Sequence, residues 1–147
     1  MAAGPANAIA VDRTTLDRCP AEPGAYTLAI TLGAPLALTI PRFAGRRLGA
    51  GLYVYAGSAH GPGGLRARLG RHLKRQKARR WHVDHLTAVA TDVHALAVLE
   101  ARECDLLVHL LAGGGFSVPL PGFGASDCRT CPTHLLHWSP TATGETS

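Results

Sequence analysis

Three groups of residues have types and spacing suited to chemistry. Tyr26 and Tyr55 each sit beside glycine, in Gly24-Ala-Tyr26 and Tyr55-Ala-Gly57. Glycine next to a strand-end aromatic lets a backbone or a ligand approach closely; two core tyrosines would have the same pattern. Arg68 and His72 stand one helical turn apart. From one helix flank both can address a single phosphate, although an ordinary basic helix surface also presents such pairs. Glu103 falls near the centre of an apolar stripe when residues 93–111 are projected as a helix. A carboxylate there is costly unless a metal ion, or a buried cation such as Arg68, compensates it.

The elements that must position these groups follow from periodicity. Alternation over 25–32 places Tyr26, Leu28 and Ile30 on one face of a strand. Gly33-Ala-Pro35 turns the chain, and Leu36, Leu38 and Ile40 share a face of a second strand ended by Pro41. Residues 42–51 read as a basic loop, and 52–58 as a third strand with Tyr53, Tyr55 and Gly57 on one side. His60-Gly-Pro-Gly-Gly64 breaks it. Leu65, Leu69 and Leu73 form the buried stripe of a helix over 65–75, with Arg68 and His72 on its flank and Arg66, Arg71 and Lys74 outward. Trp81 to Ala90 reads as a strand and Val93 to Leu111 as the longest helix, ended by Gly113-Gly-Gly115. Residues 119–138 read as loop with one short strand at 134–138. Residues 1–20 read as an N-terminal extension, either disordered or adding a short strand. Residues 21–138 read as one domain, and 139–147 as a disordered tail.

Charge is distributed in one direction. The 147 residues carry a net charge of +5, with 46% hydrophobic and 17% charged residues, which excludes a disordered chain. Residues 23–83 hold eleven Lys/Arg and no Asp or Glu, whereas 84–147 hold two Arg and seven acids. Such a block suits a surface that meets an anion, nucleic acid foremost, with an anionic membrane or plain solvation as alternatives. The apolar runs fall short of the roughly 20 residues of a membrane span. No export pattern is visible in residues 1–10, so a cytoplasmic location is expected.

The cysteines allow two readings. Cys128-x-x-Cys131-x-x-His134, with Cys104 as a fourth donor, has zinc-like spacing. Buried thiols packing the loop against the helix that carries Glu103 are the simpler reading. His82-x-Asp84-His85 is either a second metal cluster or a set of loop hydrogen bonds, with His82 retained as a neighbour of the site.

Taken in order, these motifs resemble the GIY-YIG nuclease superfamily. Gly24-Ala-Tyr26 resembles its first motif and Tyr53-Val-Tyr55-Ala-Gly57-Ser58-Ala59 its second. Leu65-Arg-Ala-Arg68-Leu-Gly-Arg-His72 resembles the catalytic-arginine helix, and Glu103 the metal-binding glutamate. Trp81-His-Val-Asp84-His-Leu86, Arg102-Glu-Cys104 and the stretch from Gly122 through Asp127 and Cys128 to His134 resemble a largely uncharacterised branch, found alone or fused to endonuclease III-like repair enzymes. The resemblance implies an α+β fold, a small and mainly antiparallel central sheet flanked by helices. It implies a metal-dependent endonuclease hydrolysing DNA phosphodiesters in repair or recombination, with Mg²⁺ or Mn²⁺ as cofactor. Glu103 would hold the metal, Arg68 would stabilise charge on the scissile phosphate, and Tyr26 or Tyr55 would help activate water, assisted by His72. Gly57, Ser58, His82 and Asp127 would be neighbours, and Arg66, Arg71, Lys74, Arg75, Lys77, Arg79 and Arg80 would meet DNA. Two departures stand out: alanine replaces the central isoleucine of both motifs, and the only asparagine is Asn7, so the late asparagine of many such nucleases is missing. A DNA-binding module that does not cut, or a zinc-stabilised interaction domain, are the competing functions.

Overall fold

The computed structural model describes residues 8–74, 81–123 and 133–139. Six strands form one antiparallel sheet in the order β1-β6-β2-β5-β8-β7. They are β1 (Ala8–Val11), β2 (Gly24–Leu32), β5 (Gly51–Ala59), β6 (Asp92–Leu99), β7 (Phe116–Ser117) and β8 (Leu135–Trp138). Two further short strands, β3 (Leu36–Ala37) and β4 (Arg47–Leu48), pair only with each other. Helices α1 (Gly64–Leu73) and α3 (Glu103–Ala112) and a single helical turn, α2 (Asp84–Thr87), complete the described chain. The protein is thus an α+β fold, a small antiparallel sheet flanked by helices, and none of its described helices is long and apolar enough to cross a membrane.

Strand parity sorts the two faces. Tyr26, Leu28 and Ile30 of β2 and Tyr53 and Tyr55 of β5 are buried in the core that includes Leu65, Leu69 and Leu73 of α1. On the opposite face Ala56 packs with Leu107 and Leu136. The helices therefore cover both faces, α1 over one and α3 over the other. The β2–β5 register places Tyr26 opposite Gly57 and Gly24 opposite Ala59.

The N-terminus of α1 is tied down by the chain before β2. Leu65 N–H donates to the Glu22 carbonyl (2.9 Å) and Arg66 N–H to the Pro20 carbonyl (3.0 Å). These amides, otherwise orphaned at a helix start, are consumed by protein. Those two amides are therefore not free to bind an anion.

Several expected boundaries shift. Residues 92–99 are β6, a strand between β1 and β2, and not the first half of a long helix. A short Ala/Leu/Val run fits both periods, and only its two strand partners decide. Glu100, at φ 56°, then turns the chain into α3. Residues 81–90 hold α2 in place of a strand, because the Asp84 carboxylate accepts the Trp81 N–H (2.8 Å) and closes a helical turn. The second expected strand shrinks to Leu36–Ala37. Of the two readings of the N-terminal extension, the strand is present: β1 lies at the sheet edge against β6. The expected tail lies beyond the described residues apart from Ser139.

Candidate functional site

Gly57 is the structural hinge of the site. Tyr26 crosses from β2 onto β5 and lies against it; a Cβ at residue 57 would come within 2.5 Å of Tyr26 Cζ. With no side chain in the way, the Tyr26 ring lies flat over the strand and its hydroxyl reaches His72 Nε2 at 2.7 Å. Both residues are 1% exposed. Tyr55 joins them, with ring centroids 6.5 Å from Tyr26 and 6.4 Å from His72. His134, just before β8, closes the other side of Tyr55 at 6.3 Å.

Beyond the end of β8, β5 has no further strand partner on that side among the described residues, and charged groups gather at Ser58. Arg68 Nη1 donates to the Ser58 carbonyl (2.9 Å). Ser58 Oγ approaches Glu103 Oε2 at 3.5 Å, a weak bond at the limit of hydrogen-bond length. Ser58 thus lies between the arginine of α1, on one face, and the glutamate of α3, on the other. Glu103 is half-buried in the first turn of α3, where the helix dipole favours negative charge. It shares a helix face with Leu107, four residues on. The longer apolar stripe expected around it does not exist, because Leu96 and Leu99 belong to β6.

A second layer holds Arg68. Its guanidinium lies 4.5 Å from the Trp81 ring centre, and that of Arg71 lies 4.1 Å away. Each such contact contributes about 0.5–2 kcal/mol. Arg71 makes a two-pronged bridge to Asp84, both N–O distances 2.8 Å, and Asp84 is fully buried. The His72 ring packs 5.6 Å from Trp81. Trp81 is therefore a spacer that sets Arg68, Arg71 and His72 relative to one another. Arg68 and Arg71 also line a pocket of about 160 Å³ with Ala59, Gly61, Pro62 and Gly64.

Burial dominates the ionisation of the phenols. It pushes Tyr26 far above the ordinary tyrosine value, with Tyr55 adding to the rise and Arg68 opposing it. Tyr55 is pushed up to about 12, again by burial, with Arg68 opposing. Both are neutral at physiological pH. A phenolate here needs a further cation beside it.

Of the residues expected at the site, Tyr26, Tyr55, Gly57, Ser58, Arg68, His72 and Glu103 form one connected cluster. His82 does not: its ring packs 5.3 Å from both Phe43 and Phe123, and burial lowers its pKa. Arg66 is exposed and anchored by donating to the carbonyls of Cys19 (2.7 Å) and Asp17 (3.4 Å). Arg71 is committed to Asp84 and Trp81. Lys74 is exposed just after α1. Arg75, Lys77, Arg79, Arg80, Asp127, Cys128 and Cys131 lie outside the described residues. Cys104 is disulfide-bonded, with its partner outside the described residues, so it is neither a free thiol nor a thiolate ligand. Its sulfur lies 4.0 Å from His134 Nε2, and Cys19 is a buried free thiol. No group of three or more His, Cys, Asp or Glu suited to a metal occurs among the described residues.

Trp81 and Asp84 were not legible as parts of the site. Their signal was present in Arg68-x-x-Arg71 and Trp81-x-x-Asp84, two charged or aromatic pairs one helical turn apart, but only folding shows that they interlock.

Fold and site define the class: a small α+β protein whose central antiparallel strands carry a buried tyrosine–histidine pair against an arginine helix. The chain belongs to the family described as "Domain of unknown function DUF123", whose model matches residues 25–146. No curated protein and no solved structure matches it.

Proposed function

We propose that this protein is a metal-dependent endonuclease of the GIY-YIG type that hydrolyses DNA phosphodiester bonds in repair or recombination. One observation carries the reading: Tyr26, Tyr55 and His72 cluster beneath β5, Arg68 bonds the Ser58 carbonyl of that strand, and the Ser58 hydroxyl reaches Glu103. A phosphodiester is anionic, so its hydrolysis needs positive charge where negative charge develops. Arg68, steadied by Trp81 and by the Ser58 carbonyl, supplies that charge in a fixed orientation. The Tyr26 hydroxyl and His72 Nε2 share one hydrogen bond, along which a proton can pass between phenol and imidazole.

The residues present fit a divalent metal. Glu103 is half-buried with only a weak bond to Ser58, and Mg²⁺ needs one or two carboxylates, completing its shell with water and phosphate oxygens. Glu103 would hold Mg²⁺ or Mn²⁺, which when bound polarises the phosphate and steadies the leaving oxygen. Such a protein would act in the cytoplasm, where its DNA substrate lies.

The test is incubation of the purified chain with Mg²⁺ or Mn²⁺ and nicked, branched or single-stranded DNA. Products should appear, vanish with EDTA, and be absent for Glu103→Ala and Arg68→Ala. Cleavage that persists in both variants refutes the reading. One observation favours a DNA-binding module that does not cut: both phenols are held neutral by burial. That alternative predicts salt-sensitive DNA affinity with no metal-dependent product.

A further inference from the structure

The end of the central sheet holds a second cavity beside the Arg68–Arg71 pocket. It has a volume of about 510 Å³ and is lined by Glu22, Pro23, His60, Leu99 and Glu100, with Gly24 among its lining residues. The two cavities share a wall. Ala59 and Gly61 line the basic pocket, and His60 between them lines the larger one.

They are also fixed relative to each other. The Glu22 carbonyl binds the Leu65 amide of α1, the helix that carries Arg68 and Arg71. Gly24 pairs with Ala59 on one side and Leu99 on the other, and so lies at the centre of the sheet end. A side chain at Gly24 would come within 2.5 Å of the Val98 carbonyl and 2.9 Å of Leu65.

The chemistry of the two cavities is complementary. The small one offers the Arg68 guanidinium, beside an Arg71 already paired with Asp84, and suits a phosphate. The large one offers apolar walls at Pro23 and Leu99 and two carboxylates, which repel a phosphate but accept hydrogen bonds.

We propose that the larger cavity takes a single unpaired nucleobase bearing an exocyclic amino group, adjacent to the phosphate held at Arg68. The proposal rests on the nuclease reading and deepens it, because it names the substrate as DNA with an unstacked base. Cytosine presents its N4 amino group and adenine its N6 amino group as donors, whereas thymine presents an O4 acceptor there. A carboxylate of Glu22 or Glu100 accepts from the former and is repelled by the latter. The base must be out of the stack, as in other sites that read a single nucleotide in a pocket.

NMR titration of the ¹⁵N-labelled full chain with dCMP, dTMP, deoxyribose 5-phosphate and deoxycytidine tests this. dCMP should bind about tenfold tighter than dTMP or the base-free sugar phosphate, the discrimination of one good base contact. It should shift the amides of His60 and Ala101 as well as Arg68. The double change Glu22→Gln with Glu100→Gln should erase the preference without weakening deoxyribose 5-phosphate. Glu100→Gly is a second variant that suits the backbone, since residue 100 already sits at φ 56°. It too should reduce the preference. Equal affinity for dCMP, dTMP and the sugar phosphate overturns the base site while leaving the nuclease reading in place. Deoxycytidine binding at His60, with no phosphate ester moving Arg68, keeps the base site and refutes the nuclease reading. Binding of none of the four refutes both.

Discussion

Gly57→Ala is the sharpest perturbation of the site, because it adds one methyl group where there is no room. The added Cβ would lie 2.5 Å from Tyr26 Cζ and 3.0 Å from Cε1, and closer still to the hydroxyl. Tyr26 cannot simply turn away, being 1% exposed and bonded to His72. Either the β2–β5 pair splays or the ring shifts and the hydrogen bond breaks. Overpacking of this kind costs about 1–3 kcal/mol. Loss of the buried Tyr26–His72 bond, leaving two polar groups desolvated, adds roughly 1–3 kcal/mol. A total of about 2–6 kcal/mol should lower the melting temperature of a chain this size by roughly 5–20 °C. Thermal unfolding followed by near-UV circular dichroism measures it, since the tyrosine environment changes with the fold. Adding Tyr26→Leu should restore much of the stability by shortening the side chain, but should not restore activity. A Gly57→Ala protein with an unchanged melting temperature and an unchanged tyrosine spectrum refutes the account of how Tyr26 is placed.

Three other outcomes are expected. Asp84→Asn should cost about 2–4 kcal/mol in a urea melt, because it strips a buried carboxylate from the still charged Arg71, whose partial exposure softens the penalty. In a Trp138→Phe background it should also shift Trp81 fluorescence, which a merely local loss of stability would leave alone. The phenols set an alkaline limit: a tyrosine whose folded pKa is raised contributes stability that is complete below its unfolded value, near 10, and is lost as pH rises through the folded value. Urea midpoints should therefore hold to about pH 10 and fall towards pH 12, less steeply in Tyr55→Phe. Absorbance at 295 nm showing all three tyrosines ionising near 10 in the folded protein would contradict this. Arg66→Ala should reduce stability by about 1–2 kcal/mol through the lost bonds to Cys19 and Asp17, and change DNA affinity less than Lys74→Ala does.

The sequence by itself determined the parts whose signal is local. Alternation marked β2 and β5, and the Leu65, Leu69 and Leu73 spacing marked α1, because one buried face imposes its period on the residues that fill it. The glycine beside each tyrosine and the Arg68–His72 spacing were equally visible. Tertiary structure decided what had no local signature. Residues 92–99 became a strand because β1 and β2 offered partners on both sides, although the run is as apolar as a helix stripe. Glu103 reached the site not from the middle of an apolar helix face but as the first residue of α3, brought to Ser58 of β5. The eleven basic residues of the middle block proved unequal once folded. Arg66 bonds the chain before β2, Arg71 stacks on Trp81 but is spent on Asp84, and Arg68 stacks on Trp81 with no carboxylate bridge of its own among the described residues. Charge counted along the chain cannot show this, because which cation remains free for a phosphate depends on which carboxylates and carbonyls the fold brings to it.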